Sequence, residues 1–143
     1  LAAQGRREAA RSELRQLLAA APDEVRAHTH LAALLAEDGR VREALPHFEA
    51  AVRLAPEDAA SRRNLALAYA QEGRGAAAEA ELEVALRLEP GSADAHNWLG
   101  FLLASRGAHA AARAEFEAAL RLAPGHAEAR ANLARLPGSA ASP

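Results

Sequence analysis

Six histidines, several close acidic groups and a single tryptophan are the side chains in this sequence with chemistry to offer. His28 and His30 form the nearest histidine pair, yet positions i and i+2 of a helix point in different directions. His28 and His96 lie too far apart to share an ion, so no metal site is expected. Glu79, Glu81 and Glu83, and likewise Glu115 and Glu117, are spaced as on an ordinary charged face, with no cleft to desolvate a general acid–base pair. The sequence holds no Gly-rich phosphate loop, no Ser/His/Asp arrangement and no basic patch interleaved with aromatics. Cysteine is absent, which removes thiolate catalysis, thiolate metal sites and disulfides together. The reading is of a chain without cofactor that is not an enzyme.

Composition narrows the partners. A net charge of −2 with both signs mixed argues against nucleic acid or an anionic membrane surface. No apolar run approaches a membrane span, so direct membrane insertion is not expected. The 42 alanines and 3% aromatics demand a core made by close helix contact rather than by large side chains. Lys, Ile and Met are missing beside abundant Ala, Arg, Leu and Glu, the usage of a GC-rich, bacterial genome. The sequence starts at Leu1 without Met. A removed leader or a longer natural chain stays open, and with it cytoplasm or periplasm.

What must position any site is a repeat. Pro22, Pro56, Pro90 and Pro124 each follow the last by 34 residues, and so do Gly5, Gly39, Gly73 and Gly107. Over 25–58, 59–92 and 93–126, nine columns are identical, among them Leu31/Leu65/Leu99, Ala44/Ala78/Ala112, Ala51/Ala85/Ala119 and Leu54/Leu88/Leu122. A period of this length marks a helix–turn–helix repeat. Each Gly supplies the left-handed residue that ends a helix, and each Pro stands where no further helix is wanted. Asp58 and Ser92 are N-caps for the helices after them. First helices (A) are expected near 25–38, 59–72 and 93–106, and second helices (B) near 42–55, 76–89 and 110–123. Leu31, Leu34 and Leu35 form an i, i+3, i+4 stripe, and Phe48, Ala51, Val52 and Ala55 another. Gly and Pro in every unit forbid a long coiled coil. Residues 1–24 read as a partial unit, the end of a helix A plus a helix B; 127–136 as a terminal helix cut by Pro137; and 137–143 as a flexible tail. An uncovered half-unit leaves an apolar face, so a longer chain or a second copy is expected there.

These columns resemble the tetratricopeptide-repeat family over about residues 1–136. The match runs Leu, Ala/Gly, Leu/Tyr (Leu35, Tyr69, Leu103), Gly, Ala, Phe/Leu, Ala, Pro in each unit. Two positions depart from it. The usual bulky residue early in helix A is His28, Arg62, His96 or Arg130, which is expected to weaken that contact, and Pro46 stands in the opening turns of a helix B. The resemblance implies an all-α, right-handed superhelical α-solenoid whose concave side is lined by helix A.

Carried over position by position, it places Arg26, Thr29 and His30, then Arg63, Asn64, Leu67 and Gln71, then Asn97, Trp98 and Phe101, and finally Asn132 and Arg135 in the groove. The carboxylate clamp of chaperone adaptors is not matched, since Asp94 puts the wrong charge at one of its positions. Asn64 and Asn132 are similar to the asparagine ladder of O-linked N-acetylglucosamine transferase repeats, though His30 and Trp98 interrupt it. The expected function is a peptide- or protein-binding scaffold with Trp98 and Phe101 as an aromatic anchor. A substrate-docking arm of a larger glycosyl- or sulfotransferase, and a self-associating subunit joined through its end faces, are the alternatives.

Overall fold

The computed structural model describes residues 1–138. The tail expected over 137–143 therefore lies, from 139 on, outside the described residues. Among the described residues eight helices follow one another: α1 Ala2–Ala20, α2 Val25–Glu37, α3 Val41–Leu54, α4 Ala59–Gln71, α5 Gly75–Leu88, α6 Ala93–Ser105, α7 His109–Leu122 and α8 Ala127–Arg135. Each packs on its sequence neighbour, and α6 also touches α8, which makes an all-helical solenoid of stacked pairs. Among the described residues no helix is long and apolar enough to cross a membrane.

Within a unit, the turn is closed by glycine. Gly39, Gly73 and Gly107 have φ of 76°, 74° and 86°, a left-handed conformation that other residues rarely adopt. The N–H groups of Arg40, Arg74 and Ala108 then donate back to the carbonyls of Leu35, Tyr69 and Leu103 at 2.8, 2.8 and 2.9 Å. This six-to-one bond satisfies carbonyls the helix end would orphan. Helix α3 runs unbroken through Pro46.

The N-terminus differs from the sequence expectation. Gly5 lies inside α1, with its N–H bonded to the Leu1 carbonyl at 3.0 Å, so α1 is one continuous helix and not the end of a helix A plus a helix B. A helical Gly costs about 1 kcal/mol against Ala, less than an unsupported reversal. Arg7 bridges to Glu37 at 3.4 Å and Asp38 at 3.0 Å, while the buried Arg11 meets Glu8 and Asp38. These pairs tie α1 across the α2–α3 turn.

The core runs along the axis as two clusters. One holds Leu31, Leu35, Phe48 and Leu65, and the other Leu82, Leu99, Leu103 and Phe116, with Tyr69 packed against both. Close approach needs the small column. A Cβ built on Gly100 would stand 2.7 Å from Phe116 Cε1, so the larger ring of this unit is accommodated by the missing methyl.

Candidate functional site

Capping fixes where the helices that could line a groove begin. The Asp58 carboxylate accepts from Ser61 N at 3.0 Å and from Ser61 Oγ at 2.5 Å. That hydroxyl, followed by the backbone amides, holds Asp58 below the usual carboxylate range against the opposing effect of burial. Ser92 Oγ accepts from Ala95 N at 3.2 Å, and His126 Nδ1 from Ala129 N at 3.2 Å. His126 Nε2 faces Asp94 at 2.9 Å. Two of the three caps fit the sequence reading; His126 lies outside the short polar residues normally favoured there.

The departure at the fourth position of helix A is a fastening. His28 Nε2, Arg62 Nε, His96 Nε2 and an Arg130 guanidinium nitrogen reach back six residues to the carbonyls of Pro22, Pro56, Pro90 and Pro124, at 2.8, 2.7, 3.1 and 2.6 Å. The expected loss of contact is therefore corrected: a polar side chain anchors each helix A to the loop before it. The same residues turn to helix B. Arg62 meets Glu81 at 2.8 Å, His96 meets Glu115 at 2.6 Å, and His28 meets His47 at 3.0 Å.

Three adjoining depressions surround Phe101, a residue 57% exposed. The first, about 300 Å³, lies between α4 and α6 and is walled by Ala66, Leu67, Gln71, Leu82, Trp98 and Phe101. A second, about 400 Å³, lies between α6 and α8 and is walled by Asn97, Trp98, Phe101, Glu128, Asn132 and Arg135. The third, about 260 Å³, continues past Phe101, Asn132 and Arg135 towards His109 and Leu136. The first is nearly all apolar. The second is polar and internally wired: Asn97 donates to Glu128 at 3.3 Å, Asn132 to Asn97 at 3.0 Å, and Arg135 to Asn132 at 3.3 Å.

Three tetratricopeptide-repeat profiles match the sequence, over residues 1–59, 35–100 and 93–126. The chain belongs to the tetratricopeptide-repeat family. No curated protein sequence matches it. Among solved structures, MamA superposes with a TM-score of 0.87 at 24% identity, over 92% of this chain and 77% of that one. YrrB, described as a tetratricopeptide protein with an unusual peptide-binding site, gives 0.83 at 22% identity, over 91% and 67%. The first tetratricopeptide domain of Spaghetti (RPAP3), bound to the HSP90 peptide SRMEEVD, gives 0.75 at 21% identity, over 77% and 87%. At these identities the likeness is one of fold.

Within this tetratricopeptide array the residues singled out by sequence do not all meet. Leu67, Gln71, Asn97, Trp98, Phe101, Asn132 and Arg135 share the three depressions. Asn97 is 2% exposed, so it braces the floor through its bonds rather than facing outward. Arg63 is drawn into an ion pair with Glu89, and Asn64 lines none of the three. In the first unit, Thr29 donates to its own helix at Val25 O, 3.0 Å, Arg26 is exposed, and His30 lines a separate depression against α1. The asparagine ladder is thus not continuous: the Asn132 amide is already engaged by Asn97 and Arg135. Leu82 and Leu102 complete the apolar wall and were not singled out, because both belong to the core pattern. Among the described residues no three His, Asp or Glu side chains gather as a metal site requires.

Proposed function

We propose that the chain is a scaffold that binds an extended protein segment across α4, α6 and α8, centred on Phe101. The repeat architecture is that of a protein-interaction scaffold, and YrrB and the RPAP3 domain, similar in fold, are described with a peptide site and a bound peptide. One observation carries the placement: Phe101 is a large, exposed aromatic at the junction of an apolar and a polar depression. An aromatic anchor flanked by pockets is what binding hot spots use. The bound segment places an aliphatic or aromatic side chain between Leu67, Trp98 and Phe101. Two or three residues on, it presents a carboxylate or amide to Arg135, which supplies the positive charge there.

A peptide array in which one apolar residue precedes Asp or Glu tests this, with hits measured by titrating Trp98 fluorescence. Phe101→Ala is expected to weaken a hit by about tenfold or more, and Arg135→Ala to remove the preference for the acidic residue. Hits that ignore Phe101→Ala would place binding elsewhere on the array.

A further inference from the structure

The side chains that cap the first helices differ in kind: Asp58 at α4, Ser92 at α6 and His126 at α8. Imidazole takes up a proton between about pH 7.5 and 5.5. A serine hydroxyl does not titrate there, and the Asp58 carboxylate, held low, stays charged throughout. Of the three, only the cap of α8 changes state in that range.

Both nitrogens of the His126 ring are engaged. A backbone N–H can only donate, so Nδ1 accepts from Ala129 N at 3.2 Å through its lone pair. The proton of the neutral ring then sits on Nε2, which donates to Asp94 Oδ1 at 2.9 Å. A second proton has one place to go, the lone pair that makes the cap. The charged ring keeps Asp94 and loses Ala129, and its charge stands at the positive end of the helix. His96 is the opposite case. Its nitrogens face the Glu115 carboxylate and the Pro90 carbonyl, two acceptors, so a second proton suits it.

The first turn of α8 is also where the floor of the polar depression is fastened. Glu128, two residues past the cap, accepts from Asn97, Asn97 accepts from Asn132, and Asn132 from Arg135. Helix α8 has nine residues, fewer than any other among the described residues, so a lost cap is felt along it. We infer that His126 is a positioning residue for binding and a proton its regulator, which rests on the groove reading above. The polar half of the groove is whole when the ring is neutral and slackens when it is charged. The neighbouring charges do not give this effect. Asp94 of α6, Glu128 and Arg130 of α8 and the exposed Arg121 near the end of α7 keep their charges through the range. His109, which lines the third depression, gains charge in acid and would draw an acidic segment closer, the reverse sign.

The test takes an acidic peptide whose binding is weakened by Phe101→Ala and titrates it at pH about 7.5 and 5.5. Affinity is expected to fall about fivefold in acid, the effect of one lost cap. His126→Asn, a cap that does not titrate, should hold the affinity at both pH values, and His126→Ala should be weak at both. In the free chain, NMR should show the Ala129 amide following the His126 ring through its titration, while the Ala95 amide, capped by Ser92, stays still. An equal fall in the Asn variant, or an Ala129 amide that ignores the ring, overturns the inference. Should no peptide depend on Phe101, the groove reading fails, and the Ala129 amide still decides whether the cap is a proton switch.

Discussion

His28 and His47 face each other Nδ1 to Nδ1 at 3.0 Å, in the place where the next two units hold Arg62 with Glu81 and His96 with Glu115. His28 Nε2 lies on the Pro22 carbonyl, an acceptor only, so that nitrogen donates. In the neutral ring its Nδ1 must then accept, and His47 must donate. The arrangement admits one proton between the rings and not two.

Acid should therefore loosen the first unit. Burial, followed by the proximity of His28 and Arg15, holds His47 below its ordinary 6.5. The unfolded chain then takes up a proton that folded His47 resists. Stability is whole above pH of about 6.5 and falls as pH drops below it. His47→Glu recreates the pairing of the other units and should remove this acid loss. The difference is about 0.5 kcal/mol at pH near 5, since water screens a half-exposed pair. Urea melts of both proteins at several pH values measure it.

Gly100→Ala should destabilise by about 1–3 kcal/mol through the clash with Phe116. The second unit solves the same contact with Ala66 and Leu82. Adding Phe116→Leu should therefore recover most of the loss, and a double-mutant cycle should show strong coupling. Additive effects would mean the ring moves aside at little cost.

Trp98 and Phe101 should separate on mutation. Trp98 is half-buried against the core cluster of Leu99 and Phe116, whereas Phe101 is 57% exposed. Trp98→Ala should lower stability by about 1–2 kcal/mol as well as weaken binding. Phe101→Ala should change stability by no more than about 0.5 kcal/mol and act on binding alone. Thermal melts set beside peptide titrations distinguish the two.

Removing the Asp58 cap by Asp58→Ala should cost about 1 kcal/mol, and Asp58→Asn much less, because the amide oxygen still accepts from Ser61. The carboxylate is held below its ordinary value, so its contribution is present at neutral pH and is lost as pH falls through that lowered range. Chemical denaturation at pH 7 and pH 3 should show the Ala and wild-type proteins converging in acid.

The period of 34 makes the helix pairs, the glycine turns and two of the caps legible in the sequence, because each is a local event repeated in phase. Gly5 breaks the analogy, since its role depends on a preceding helix that must pack, and not on Gly itself. The fourth-position fastening is hidden for a related reason: its acceptor is a loop carbonyl placed by the turn, invisible to spacing. Trp98 and Phe101, a turn apart on one helix, line the same two depressions, a placement their spacing makes legible. Arg63 and Asn97 do not read so, because Glu89, just past the end of α5, and Glu128 and Asn132 of α8 claim them from elsewhere in the chain.

The bond from each fourth-position side chain to the proline carbonyl before it gives the array an order of opening. Every boundary is latched from the C-terminal side, by a residue of the later helix gripping the earlier loop. A helix A that peels away releases the loop behind it, while the latches ahead stay shut. Amide exchange should therefore run as a gradient along the axis, quick at the ends and slow about Pro56 and Pro90, in the manner of a zipper with graded teeth.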